Sequence, residues 1–175
     1  MNKITNRLTF IITATSSLCM LLFTLGCDAP KATYSAVDNI ASARQFFPSA
    51  VEITGINQDA RKKGHPEDTI ISEIKDNSGL LGFCVESKVV SRSGPFWIRV
   101  ILDKQFYVKQ AAVISYPWVR GRDVHKKTYT EQFIGKGPKD SIQLGKDIDA
   151  MTGATISCSA MAEGVRNTIK LLEAM

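Results

Sequence analysis

Apolar positions change period several times along this chain, and each change marks an element. From Tyr34 to Phe47 they fall at Val37, Ile40, Ala41 and Phe47, near helical spacing, and Pro48 stops the run. Val51–Ile56 predicts a short strand, and the polar stretch 57–68, with Gly64 and Pro66, predicts a loop. Thr69–Lys75 and Leu80–Val90 predict two strands joined by Asp76-Asn77-Ser78-Gly79, residues that tolerate positive φ. Gly94–Leu102 and Phe106–Ser115 predict a second hairpin around Asp103-Lys104-Gln105, rich in the β-branched and aromatic residues that suit a pleated surface. Past Pro117 the pattern predicts a helix over Asp123–Ile134, ended by Gly135 and Gly137. A last helix, Ser157–Glu173, places Met161, Val165, Ile169 and Leu172 on one face.

Consecutive hairpins imply an antiparallel sheet, and the stripe on the last helix needs a sheet to pack against. The predicted fold class is α+β, an antiparallel sheet packed by an N-terminal and a C-terminal helix. No internal repeat or low-complexity segment interrupts it. A body of about 150 residues can bury roughly 70% of its unfolded surface, enough for one core.

Charge enters at the N-terminus. Lys3 and Arg7 precede a run from Leu8 to Gly26 without charge, the layout of a secretory signal. The run ends Thr24-Leu25-Gly26-Cys27-Asp28, which resembles a bacterial lipobox, with Thr24 where that motif usually has Leu. The expected division is a signal peptide over 1–26, a lipidated tether over 27–33 and a folded domain over 34–175, with Cys27 the acylated residue. Asp28 resembles the inner-membrane retention signal of such lipoproteins. An uncut membrane anchor and a cleaved, soluble protein are the alternatives, and all three place the body outside the cytoplasm. Of the formal net charge of +5, two units lie in the signal, too thin a remainder for nucleic-acid binding. Cys84 and Cys158 are either one disulfide or two buried thiols. With only His65 and His125, and no CxxC, a metal site has no support.

The stretch with chemical content is Asp149-Ala150-Met151-Thr152-Gly153-Ala154-Thr155, leading into Ile156-Ser157-Cys158. Gly153 permits close backbone approach, Ala154 leaves room, and Thr155 offers a hydroxyl beside a first helical turn whose N–H groups and dipole favour an anion. The plainer reading is that Thr155 or Ser157 only caps the helix.

Asp149, Thr152, Gly153-Ala154 and Thr155 resemble the flavinylation motif of FMN-binding domains, an Asp, two variable residues, Ser or Thr, then Gly-Ala-Thr. Such domains occur in the sodium-pumping NADH:quinone reductase and in the Rnf electron-transport complex. Gln132-Phe133-Ile134-Gly135-Lys136-Gly137 is similar to the family's Gln-Phe-x-Gly-Lys segment. The likeness covers residues 80–175 and is weaker over 34–79. It implies FMN esterified through its phosphate to Thr155, transferred from FAD by a Mg²⁺-dependent flavin transferase. It also implies cofactor-binding roles for Asp149, Thr152, Gly153 and Ala154, with Ser157 a further candidate beside them. The chain departs from the family at Tyr116-Pro117-Trp118-Val119-Arg120-Gly121, where relatives often carry an acidic residue before a Gly. Trp118 there either stacks on the flavin ring or fills a groove. Arg120 and Arg122 either face the cofactor or form a solvated basic face.

The function implied is a membrane-anchored extracytoplasmic flavoprotein that relays electrons between membrane or periplasmic donor and acceptor proteins. Alternatives are a reductase of a small acceptor, an Rnf- or Nqr-like component of an ion pump, and a non-redox binding lipoprotein. No nucleophile–histidine pair or acid/base pair suggests chemistry on an organic substrate by the chain itself.

Overall fold

A computed structural model describes residues 36–56 and 68–175. The expected signal and tether, the expected lipidation site Cys27, His65 and most of the 57–68 loop lie outside the described residues. Among those described, no helix is long and apolar enough to cross a membrane.

The described elements begin with α1 (Ala36–Arg44) and five strands, β1 (Glu52–Gly55), β2 (Thr69–Asp76), β3 (Gly79–Ser91), β4 (Gly94–Asp103) and β5 (Val108–Ser115). They continue through a 3₁₀ turn (Arg122–His125), a single helical turn α2 (Lys127–Thr130), a second 3₁₀ turn (Glu131–Phe133) and the long α3 (Thr155–Glu173). The sheet is an antiparallel meander in the order β1-β2-β3-β4-β5. The fold is α+β, as the hairpin pattern implies.

Alternation along β3 and β4 gives the sheet two unequal apolar faces. On the first, Val85, Val89, Phe96, Ile98, Val100 and Leu102 are buried against α3 and the turns after β5. All four residues of the α3 stripe are buried, Met161 and Val165 completely. Each contributes about 1.5–3 kcal/mol over remaining exposed. The helix can approach this closely because of Gly164, where a Cβ would collide with Val89.

The second face carries a small cluster, Ala43, Ala50, Ile74, Cys84 and Ile101, with Phe46, Phe47, Ile53 and Leu81 packed on it. Leu81 belongs here, although it stands two residues from Phe83 of the other face, because a bulge opposite Ile74/Lys75 turns it over. Beside the cluster, Arg99 donates from Nε and Nη2 to Glu86 Oε1 at 2.9 and 2.8 Å, and from Nη1 to Ser42 Oγ at 3.1 Å. Cys84 and Cys158 are free thiols, each buried in a different cluster. Burial pushes the Cys84 thiol up to about 12 and also raises Cys158.

The helical boundaries differ from the sequence reading. The expected helix over Asp123–Ile134 is instead broken at Lys126, whose extended conformation (φ −62°, ψ 136°) separates the first 3₁₀ turn from α2, which runs directly into the second 3₁₀ turn. Its buried residues, Val124, Tyr129 and Phe133, point inward from successive turns, and the two rings meet edge to face at 5.3 Å. The first helix stops at Arg44, and Phe46 and Phe47 fold under it in turns closed on Ala43 O. The last helix begins two residues early, at Thr155.

Candidate functional site

The β3–β4 hairpin, the β5–3₁₀ connection and the start of α3 converge on a cleft of about 550 Å³. It is lined by Arg92 and Ser93 from the hairpin, Arg120 and Gly121 from the connection, and Gly153 through Ser157 from the start of the helix.

Two clamps fix the chain that enters α3. Asp147 gathers its own loop: Oδ1 accepts from Gln143 N–H (2.7 Å) and Ser141 Oγ–H (3.1 Å), and Oδ2 accepts from Ile142 N–H (2.8 Å). Partial burial would raise this carboxyl, but the donors outweigh it and hold it below the usual range. Gln132 then grips the main chain of Asp149, accepting its N–H at 2.7 Å and donating to its carbonyl at 3.2 Å. The Gln of the Gln-Phe-x-Gly-Lys segment thus holds the first residue of the Asp149–Thr155 motif in place.

The motif itself is a tight turn. Ala154 N–H closes on Met151 O at 2.9 Å, with Thr152 and Gly153 in the middle. Gly153 has φ +78°, while a Cβ on it would meet nothing within 4 Å. Its glycine is therefore demanded by backbone conformation and not by crowding. Ala154 is the N-cap residue and is buried, so no side chain caps the helix. The first main-chain bond of α3 is Cys158 N–H to Ala154 O, at 2.8 Å. The N–H groups of Thr155, Ile156 and Ser157 therefore have no carbonyl of a preceding turn to bond.

Thr155 is the first residue of α3 and is exposed. The capping reading fails for it, since its hydroxyl makes no cap bond. Ser157 does not cap either. It is only 2% exposed, and its Oγ lies 2.8 Å from Tyr116 OH. The Tyr116 hydroxyl spends its one proton on Arg120 O at 2.6 Å, so Ser157 must donate to Tyr116. This chain ties the helix start to the Arg120–Gly121 segment. Gly121, at φ +80°, sits so close that a Cβ would strike Ser157 and Tyr116.

Of the residues singled out from sequence, Gly153, Ala154, Thr155 and Ser157 come together in the cleft. Thr152 stands exposed in the turn above, and Asp149 is held nearby through its main chain with its carboxylate exposed. Trp118 lies outside the lining, packed over Gly94 with its indole N–H donated to Pro95 O at 2.8 Å. Arg92 and Ser93 escape the sequence reading. Their one signal is their place as a pair of turn residues between Ser91 and Gly94, outside both predicted strands.

Residues 91–170 match the sequence model of the FMN-binding domain family. This region is an FMN-binding domain. The match opens at the β3–β4 turn and spans every residue of the cleft lining, which supports a flavoprotein. No curated protein matches the chain.

An FMN-binding domain needs a place for a phosphate and a place for a ring system, and the cleft fits both requirements. Two guanidinium-bearing residues and three unused helix N–H groups answer a phosphate. Exposed Ile156 offers apolar surface beside them.

Proposed function

We propose that Thr155 carries FMN in phosphoester linkage and that the protein relays electrons on the extracytoplasmic face of the membrane, held there through Cys27. The observation that supports the linkage is Thr155 itself: a complete Asp149–Thr155 motif inside an FMN-binding domain, ending in an uncapped and exposed hydroxyl. A threonine used only for helix capping would point its oxygen at a main-chain N–H two or three residues on.

In the maturation step, Thr155 Oγ forms a bond to the flavin-proximal phosphorus of FAD. The pyrophosphate bond breaks, AMP leaves, and the hydroxyl proton passes to the flavin transferase or to water. The product carries one negative charge at phosphorus. Arg92, Arg120 and the first turn of α3 neutralise that charge where the ester sits. Gly153 and Gly121 supply the positive-φ backbone that shapes the turn and the connection on either side of Thr155. The bound flavin supplies one- and two-electron redox chemistry. The protein's part is to anchor it, so that an exported domain does not lose a cofactor it cannot replace.

The relay reading is favoured over direct reduction of a small acceptor because the cleft is open and, among its lining residues, no acid, histidine or cysteine stands ready to deliver a proton. Coexpression with a flavin transferase tests the linkage. A denaturing gel should show a fluorescent band for the wild type, none without the transferase, and none for Thr155→Val. A fluorescent Thr155→Val band would refute the assignment.

A further inference from the structure

We infer that the rim of the cleft is a docking face for an electron-carrying protein whose own cofactor edge is ringed by acidic side chains. This rests on the functional reading above and adds the chemistry of the partner. Three exposed arginines, Arg92, Arg120 and Arg122, stand at this end of the molecule. None forms an ion pair with another described residue, although five other basic side chains do. No acidic residue lines the cleft.

Apolar surface accompanies the charge. Val119, next to Arg120, is 86% exposed, and Ile156, next to Thr155, is 50% exposed. Val90, two residues before Arg92 and paired across the hairpin with Pro95, is 73% exposed. Cations around exposed aliphatic side chains suit transient protein docking: the charges steer encounter, and the apolar residues exclude water from the contact. The face surrounds Thr155, the residue through which the proposed cofactor is attached, and the redox-active ring is tethered to it by the ribityl chain.

The test uses the full-length flavinylated protein in neutral detergent, reduced with dithionite. It is mixed with an acidic or a basic c-type cytochrome of matched potential. Each reduced flavin gives one electron to each of two ferric haems and releases its protons to water. The rate with the acidic cytochrome should fall ~10-fold or more between about 20 and about 500 mM salt, while the basic one shows no such fall. Arg122 and Val119 lie outside the cleft lining, so Arg122→Glu with Val119→Asp should keep full flavin content yet lose ~10-fold of the low-salt rate. Lys104→Glu, in the turn at the far end of β4, should change neither.

A rate independent of salt, a faster basic cytochrome, or an unaffected double variant would overturn the docking face. So would arginine-dependent binding to phosphatidylglycerol vesicles without any preference for the acidic cytochrome. If no flavin is attached, the relay reading fails instead. Salt-dependent calorimetric binding of the acidic cytochrome to the unmodified protein then decides the docking face on its own, absence of binding overturning it.

Discussion

The two ends of the sheet use the same kind of tight hairpin and opposite chemistry. At one end, the β2–β3 turn is closed by Asp76, whose Oδ1 accepts from Ser78 N–H, Gly79 N–H and Ser78 Oγ–H. The β4–β5 turn beside it is closed by Asp103, which accepts from Gln105 and Tyr107 N–H and pairs with Lys109 at 2.9 Å. Both turns satisfy their own donors with a carboxylate. At the other end, the β3–β4 turn holds Arg92 and Ser93 in the middle and no acid, Ser91 Oγ–H donates across it to Gly94 O at 3.0 Å, and it faces a helix start without a side-chain cap. A turn that satisfies itself stabilises the fold and binds nothing. A turn that leaves donors and positive charge open gives up that stability and gains a place for an anion.

The sharpest way to break this comparison is at Gly121. Gly121→Ala forces a side chain into positive φ and against Ser157 and Tyr116, and should cost about 3 kcal/mol in urea unfolding together with most flavin attachment. Asp147→Ala removes the acceptor of three hydrogen bonds from the loop that leads into the motif. It should cost about 1–3 kcal/mol and slow flavinylation, read as the fraction modified against time. Asp103→Ala strikes the self-satisfied end. It should cost about 1–2 kcal/mol in the same unfolding assay and leave flavin content unchanged, and a loss of flavin would erase the distinction between the ends. Tyr116→Phe, which orphans Ser157 and the Arg120 carbonyl, should cost about 1 kcal/mol and act mainly on the site.

Acid reads the same contrast. The Ser78 and Ser49 hydroxyls and the turn amides hold Asp76 below the usual carboxylate range, while donors outweigh burial to do the same for Asp103 and Asp147. The unfolded chain therefore takes up protons first as pH falls. Their contribution is complete above about pH 4 and is lost as pH drops through the lowered folded values. Thermal midpoints measured from pH 7 to pH 2 should hold steady and then decline below about pH 4, more gently in Asp103→Asn.

The elements legible in the sequence are those with a strong period. The five strands and the stripe Met161–Leu172 announce themselves because each repeats over two or more turns or alternations. The segment from Arg122 to Phe133 does not, since the five-residue step from Val124 to Tyr129 is off the helical period, and the chain breaks there at Lys126. At the site, Gly153, Ala154 and Thr155 are visible as a motif. Arg92, Gly121 and the Tyr116–Ser157 link are not, because they reach the cleft from positions far apart along the chain. Gln132 stands out by resemblance, yet its grip on Asp149 is a contact between residues seventeen apart that spacing alone does not reveal.

The most direct test is the mass of the mature protein. Fragmented after coexpression with a flavin transferase, the chain should show a single addition of one FMN less one water, confined to the peptide containing Thr155. An unmodified Thr155 peptide under those conditions, or the same addition on any other residue, would contradict the account.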